Sequence, residues 1–319
     1  MSVNVFDSAQ AALSFLIPQL AHIEPEIYQV KYPEIRYPAI LPVDTSAKQW
    51  ATSVMYFSGD IVGQAQWASS NAGDVPLADV TRAQFATPVH MATIGYEYSE
   101  EELAQAKMLG IPLTVDKGVA ARRVAERFID DVAMTGDVSK GFTGLFNSPS
   151  VTVVAAPSVA GVTSWLQKTP PEILADVNGL ITGVYTGSNT VELADTLLLP
   201  VAVYAYLSVT PFNAYSAMTL LEYIRKSNTY TVETDRPLKI RGVRGLDNAG
   251  SGSTPSAMIG RAIAYTNDKS VVKMHMPMPY QFGNAREKSA WVFEVPGRFR
   301  IGGVDVRRPG AFRYMDAVS

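Results

Sequence analysis

The stretch from Ser99 to Gly136 constrains the fold more than any other part of the chain, because it is the longest segment compatible with helix. Ser99 and Glu102 form a capping box, in which each side chain satisfies a free N–H of the first turn. Ala121, Val124, Ala125, Phe128 and Val132 recur at helical spacing on one face. Arg122, Arg123, Glu126, Arg127, Asp130 and Asp131 fall on the other, with Arg122–Glu126 and Arg127–Asp131 spaced as i,i+4 ion pairs. Pro112, just after Gly110, breaks or kinks the rod near its first third. With both halves helical the stretch spans on the order of 50 Å, long for a helix in a domain of this size. It is read as a spine, with a long hairpin before it and a second domain after it.

Residues 1–50 read as an arm. Val5, Phe6, Ala9, Leu13 and Leu16 suit one short amphipathic helix ended by Pro18. Pro25, Pro33, Pro38 and Pro42 then alternate with Tyr28, Tyr32, Tyr37 and Ile40, which favours extended chain. Aromatics on an extended chain need a surface, either the body of the chain or a neighbouring subunit. Residues 51–98 read as a hairpin. Ile61, Gly63, Ala65 and Trp67 alternate along the first limb, His90, Ala92, Ile94, Tyr96 and Tyr98 along the return, and the turn formers of 68–79 lie between. A two-stranded ribbon is marginal alone in water and wants a surface to lie on.

After the spine, residues 136–150 form a glycine-punctuated loop that lacks the Gly-Lys-Ser/Thr of a phosphate cradle and reads as a structural turn. From 151 to 280 strands and helices alternate. Strands are expected at Val151–Ala155, Thr196–Leu199, Leu238–Val243, Ala262–Tyr265 and Val271–Met274. Helices are expected from Pro170, from Pro200 through Leu207, and over Ala214–Lys226. Trp291–Val295 and Arg298–Val306 read as a β pair turned by Pro296-Gly297 that returns to the spine.

No chemical constellation emerges. The three histidines, His22, His90 and His275, are far apart, and the chain has no cysteine. No HExxH, calcium loop or GxGxxG occurs, and Gly250-Ser251-Gly252-Ser253 lacks the context of a nucleophile turn. No catalytic residue, metal or cofactor is expected. Net charge is −3, which argues against a basic nucleic-acid binder. Basic residues gather at Arg122/Arg123/Arg127, Arg236/Lys239/Arg241/Arg244 and Arg298/Arg300/Arg307/Arg308/Arg313, read as solvated faces and intersubunit ion pairs, with one open to a sequence-independent contact with nucleic acid. No apolar run reaches membrane-spanning length and no basic signal-peptide start is present, so neither membrane nor export is expected. At 319 residues the chain is large enough for two cores, yet only 18% of it is charged against 47% hydrophobic. That profile suits a chain whose surface meets protein.

The order and spacing of several segments resemble one branch of the major capsid proteins of tailed bacteriophages and prophages. The segments are LPVDTS (41–46), GDIVGQAQW (59–67), DVPLADV (74–80), YEYSEEELAQA (96–106), KGVAARRVAERFIDDVAMTGD (117–137), GFTGLFNSP (141–149), TPPEILADVNGLI (169–181), DTLLLPVAVYAYL (195–207) and GRFRIGGVDVRRPGAFRYMD (297–316). The resemblance implies an α+β, Hong Kong 97-type capsid fold, shared with encapsulin shells. Residues 1–50 would be the N-terminal arm and 51–98 the extended loop lying over a neighbour. Residues 99–150 would form the peripheral domain with the spine helix, 151–280 the axial domain, and 281–319 the return strands of the peripheral domain. The implied function is self-assembly through pentamers and hexamers into an icosahedral shell around double-stranded DNA. Portal, scaffolding and decoration proteins are the implied partners, in a virion assembled in the host cytoplasm.

Some shells of this fold join a loop lysine to an asparagine. No lysine lies between Lys48 and Lys107, so that cross-link is not expected here. The sequence starts directly with the arm, so scaffolding is expected to be a separate or removed protein. Assembly contacts are expected at Trp67, Val75 and Leu77 on the loop, Tyr32 and Tyr37 on the arm, and Arg122 and Arg127 on the spine. The alternatives are an encapsulin-type compartment and, more distantly, a soluble hydrolase or a tail protein.

Overall fold

The computed structural model describes residues 34–65, 67, 77–110, 112–213, 215–250 and 259–319. The predicted helix over 5–16 lies outside these residues. Chain that the prolines were expected to hold extended contains one helical turn, α1 (Tyr37–Ile40), because Pro38 sits in its first turn, where no N–H is needed. It is followed by β1 (Val43–Asp44) and then by the ribbon, β2 (Ser53–Val62) and β3 (Asp79–Pro88).

The ribbon's register differs from the sequence reading. Ser53 pairs with Pro88 and Val62 with Asp79 in an unbroken antiparallel ladder. The alternating residues of 90–98 instead form β4 (His90–Thr93) and β5 (Tyr96–Ser99), which belong to two different sheets of the body. Alternation reports a half-buried strand and is silent about its partner. Between them Gly95 packs so closely on the Val295 carbonyl that a Cβ would collide with it, so the strand breaks there.

The spine is two helices. α2 (Glu100–Leu109) starts at the expected Ser99–Glu102 capping box and stops at Gly110, a left-handed cap with φ 72°. α3 (Leu113–Thr135) follows Pro112. Its buried face is Ala121, Ala125, Ile129, Val132, Ala133 and Met134, while Val124 and Phe128, expected on that face, are about half exposed. The loop after it is the expected structural turn, a small hairpin of β6 (Gly136–Asp137) and β7 (Phe142–Thr143).

The remaining elements build the cores. β8 (Thr152–Ala155) precedes α4 (Pro170–Gly187), which opens with a Thr169–Glu172 capping box and buries Ile173, Val177, Leu180, Ile181 and Val184. β9 (Thr196–Leu199), wholly buried, leads through Pro200 into α5 (Val201–Val209). The helix expected from Ala214 begins later, as α6 (Leu220–Ser227) capped by Thr219, and α7 (Thr229–Thr234) follows. Then come β10 (Lys239–Gly242), β11 (Arg261–Tyr265), β12 (Val272–His275), β13 (Met278–Phe282), β14 (Arg286–Ser289), β15 (Val292–Val295), β16 (Gly297–Ile301), β17 (Val304–Val306) and β18 (Phe312–Asp316).

A five-stranded sheet, β10-β9-β11-β18-β8, is the wall between two apolar cores. Ile263, Tyr265, Leu198, Phe312 and Tyr314 face the core that includes α3. Ala262, Ala264, Leu197, Leu199 and Met315 face the core that includes α4. β18 therefore leaves the return strands of the spine region and enters the sheet expected for the second domain. β15 and β16 do not pair with each other: β15 lies between β14 and β5, and β16 between β13 and β4. β16 does reach the spine, where Phe299 meets Phe128 edge-on at 5.9 Å. β12 pairs with β1 and β17 in a third small sheet rather than with the five-stranded one.

Candidate assembly surfaces

Residues directly opposite in an antiparallel ladder share a face. One face of the ribbon carries Met55, Phe57, Ile61 and Val80 together with Arg82. The other carries Tyr56 stacked on Phe85 at 5.3 Å near the root, and Asp60 and Asp79 towards the far end. Phe57 is 70% exposed and Ile61 78%. Beyond the ladder Trp67 is wholly exposed and Leu77 86% exposed, so neither spends its apolar surface on the described residues of its own chain. Val75 and Tyr32 lie outside the described residues.

Tyr37 does not remain available as an arm contact. It is buried against α3, where its hydroxyl donates to Glu126 at 2.8 Å, and burial followed by that acidic partner raises its pKa. Glu126 is thus engaged by Tyr37, the residue expected to face a neighbour, as well as being spaced to meet Arg122. Arg122 and Arg127 are exposed along α3.

The largest departure from the sequence reading is Asp130, placed on the polar face but wholly buried. Its carboxylate accepts from the backbone N–H of Arg36 (2.7 Å) and Tyr37 (2.9 Å), and from the Arg36 guanidinium through Nε (2.8 Å) and Nη2 (2.7 Å). Arg244 approaches it at 3.5 Å. This carboxylate fastens the chain emerging from the arm to the spine. The only sequence signal for it was its position between Ile129 and Val132–Ala133, inside an apolar run.

At the ribbon root a second charged cluster is built from three elements. Lys273 donates to Asp44 across the β1–β12 pairing. His275, also buried, meets Asp305 through Nε2 at 3.2 Å, and Arg307 donates to Asp305 at 3.0 Å while stacking on Tyr56 at 4.3 Å. Burial pushes the Asp44 carboxyl up, but hydrogen bonds from Lys273 and Ser46 outweigh it and hold the group well below the ordinary carboxylate range. A depressed folded pKa stabilises above the unfolded value near ~3.9 and is lost as pH falls towards the folded one. The stability gap between the wild type and Asp44→Asn is therefore expected to hold from pH 7 to about 5 and to shrink steadily below about pH 4. Thermal melts at pH 7, 5 and 3 check this, and a gap unchanged at pH 3 would rule it out.

A notch of about 240 Å³ beside this cluster is lined by Thr87, Pro88, Phe142, Ser148, Asp305 and neighbours, and no histidine lines it. Among the described residues no His, Asp and Glu group is arranged to hold a metal, and no helix is long and apolar enough to cross a membrane. Of the basic clusters, Arg308 pairs with Glu192 at 2.8 Å and Arg313 donates to the Gly183 carbonyl at 3.0 Å. No carboxylate among the described residues pairs with Arg298 or Arg300, and Arg300 reaches the Gln49 carbonyl at 3.5 Å.

The exposed apolar ribbon leaves large apolar side chains uncovered by the described residues. The family model for major capsid proteins matches residues 63–318. The chain belongs to that family. No curated protein sequence matches it. Among solved structures, the capsid of Myoviridae phage XM1 superposes with a TM-score of 0.76 at 19% identity, over 94% of this chain and 98% of that one. A structure of Microbacterium phage Oxtober96 gives 0.62 at 12% identity, over 96% and 98%. The virus-like particle of Pyrococcus furiosus gives 0.51 at 13% identity, over 98% and 100%. The fold is thus the Hong Kong 97-type capsid fold, and the capsid subunit is a self-associating, shell-forming structural component of a virion.

Proposed function

We propose that this subunit closes into an icosahedral shell of pentamers and hexamers around double-stranded DNA, without catalysing a reaction. Residues 1–50 act as an arm, 51–98 as an extended loop over a neighbour, 99–150 with the return strands of 281–319 as a peripheral domain, and 151–280 as an axial domain. β18 adds its strand to the sheet of the axial part. Portal, scaffolding and decoration proteins are further partners, packaged DNA touches the shell non-specifically, and assembly takes place in the host cytoplasm. The observation that carries the reading is the ribbon: ten paired positions on each limb, with Met55, Phe57, Ile61 and Val80 on one face, most positions of both limbs exposed and none buried. Identical subunits offering complementary surfaces head to tail close into rings.

Trp67 is the sharpest test because no described residue of its own chain covers it. Burying such a side chain against a neighbour contributes roughly 2 kcal/mol per contact, multiplied over every subunit of a shell. Trp67→Ala is expected to leave the melting temperature of the unassembled subunit unchanged and to reduce closed particles severely in electron micrographs. Normal particle yield from this variant removes Trp67 from the contact.

A further inference from the structure

Trp50, Arg298 and Arg300 form a site with no counter-charge among the described residues. Arg298 and Arg300 project from the same side of β16, and both guanidinium groups stack on the Trp50 indole, at 5.2 and 5.9 Å. Arg300 is only 9% exposed, yet among the described residues its Nε has no hydrogen-bond partner and its Nη1 makes one long bond, 3.5 Å to the Gln49 carbonyl. No carboxylate among the described residues pairs with either arginine. A guanidinium this buried carries a desolvation penalty that only an anion with hydrogen-bonding oxygens relieves.

Resting on the shell reading above, we propose that the site is an anion-binding socket for the carboxylates of a second copy's ribbon. Asp60 and Asp79 are the matching groups. Asp60 lies opposite Thr81 and Asp79 opposite Val62, which puts both on one ribbon face, diagonal to each other and exposed. Neither forms an ion pair with another described residue of its own chain, and the ribbon's one arginine, Arg82, is on the other face opposite Gly59. The ribbon cannot serve its own socket. It is rooted three residues after Trp50, at Ser53, and returns through Pro88 directly into β4, the neighbour of β16. At ~3.3 Å per residue the ribbon carries Asp60 on the order of 20 Å away from that root. Two acids without a cation and two cations without an acid among the described residues, kept apart in one chain, meet between chains.

The test is a charge swap in the full chain, scored by particle yield on sedimentation and electron microscopy, with the melt of the unassembled subunit as the folding control. Arg298 is the group to change, because it is exposed whereas Arg300 is buried. Arg298→Glu and the pair Asp60→Lys with Asp79→Lys are each expected to cut yield about tenfold, and all three together to restore it to within about twofold. Arg298→Gln is expected to fall between the wild type and Arg298→Glu. Loss in each variant without restoration in the combination overturns the pairing, as does normal yield from the aspartate variants. Normal yield from Arg298→Glu with depleted packaged DNA assigns the socket to nucleic-acid phosphate and also overturns it. In all of these the wild type still assembles. A wild type that forms no particle overturns the shell reading itself, and this inference with it.

Discussion

Asp130→Ala is expected to lower the stability of the unassembled subunit by about 3–5 kcal/mol, the scale for breaking a buried ion pair by removing one partner. The substitution leaves the Arg36 guanidinium, two backbone N–H groups and the edge of Arg244 facing an apolar void. Repacking cannot satisfy them, because Tyr37, Ile40 and Leu41 around them are already buried in the core. Asp130→Asn separates the two contributions. Its amide oxygen still accepts from the backbone, but the charge opposite Arg36 is gone, so an intermediate loss is expected. Denaturant unfolding measures the size of the effect, and hydrogen exchange over residues 35–41 locates it. A loss below about 1 kcal/mol would mean that water reaches this carboxylate and that the arm root is held by packing alone.

Why Asp130 was not legible in the sequence is a matter of periodicity. A helical wheel sorts residues by angle, and Asp130 lies at the border between the buried stripe and the charged face. What buries it is the arrival of Arg36 and Tyr37 from far along the chain, which no local pattern encodes. Local chemistry was read correctly at several self-contained positions. The Ser99–Glu102 box, the break at Gly110 and Pro112, the proline-led start of α4 and the buried run of β9 each depend on a few adjacent residues. Partnership was not. The alternation over 90–98 is real, but it serves two body sheets, while the ribbon's return limb is 79–88. Pro296-Gly297 does turn the chain, yet it sends β15 and β16 to different sheets. Trp67 and Leu77 were visible as apolar residues beside turn formers, whereas the Trp50–Arg298–Arg300 socket joins chain separated by most of the sequence.

Asp176→Ala probes the opposite core and is expected to cost a similar 3–5 kcal/mol. Asp176 accepts from the Trp165 indole at 2.8 Å and from Lys168, whose ammonium also donates to the Pro157 carbonyl. All three side chains are almost fully buried, so removing the carboxylate strands a lysine charge in an apolar setting. The informative part is the form of the unfolding curve. Along β11 and β18 successive residues belong to alternate cores: Ile263 and Tyr265 to one, Ala262 and Ala264 to the other, with Tyr314 and Met315 divided the same way. Neither core can open without exposing a face of the strands that line the other. The Tyr265 and Tyr314 hydroxyls tie those strands to the Ile40 and Leu145 carbonyls on the spine side. Asp176→Ala is therefore expected to shift a single cooperative transition, with probes near α3 and near α4 moving together. Two transitions, with the one near α3 unmoved, would mean that the sheet joins two independently stable bodies. A shared wall has a consequence for the shell, because strain applied to the ribbon root reaches the α4 side through β11 and β18 and not through a linker.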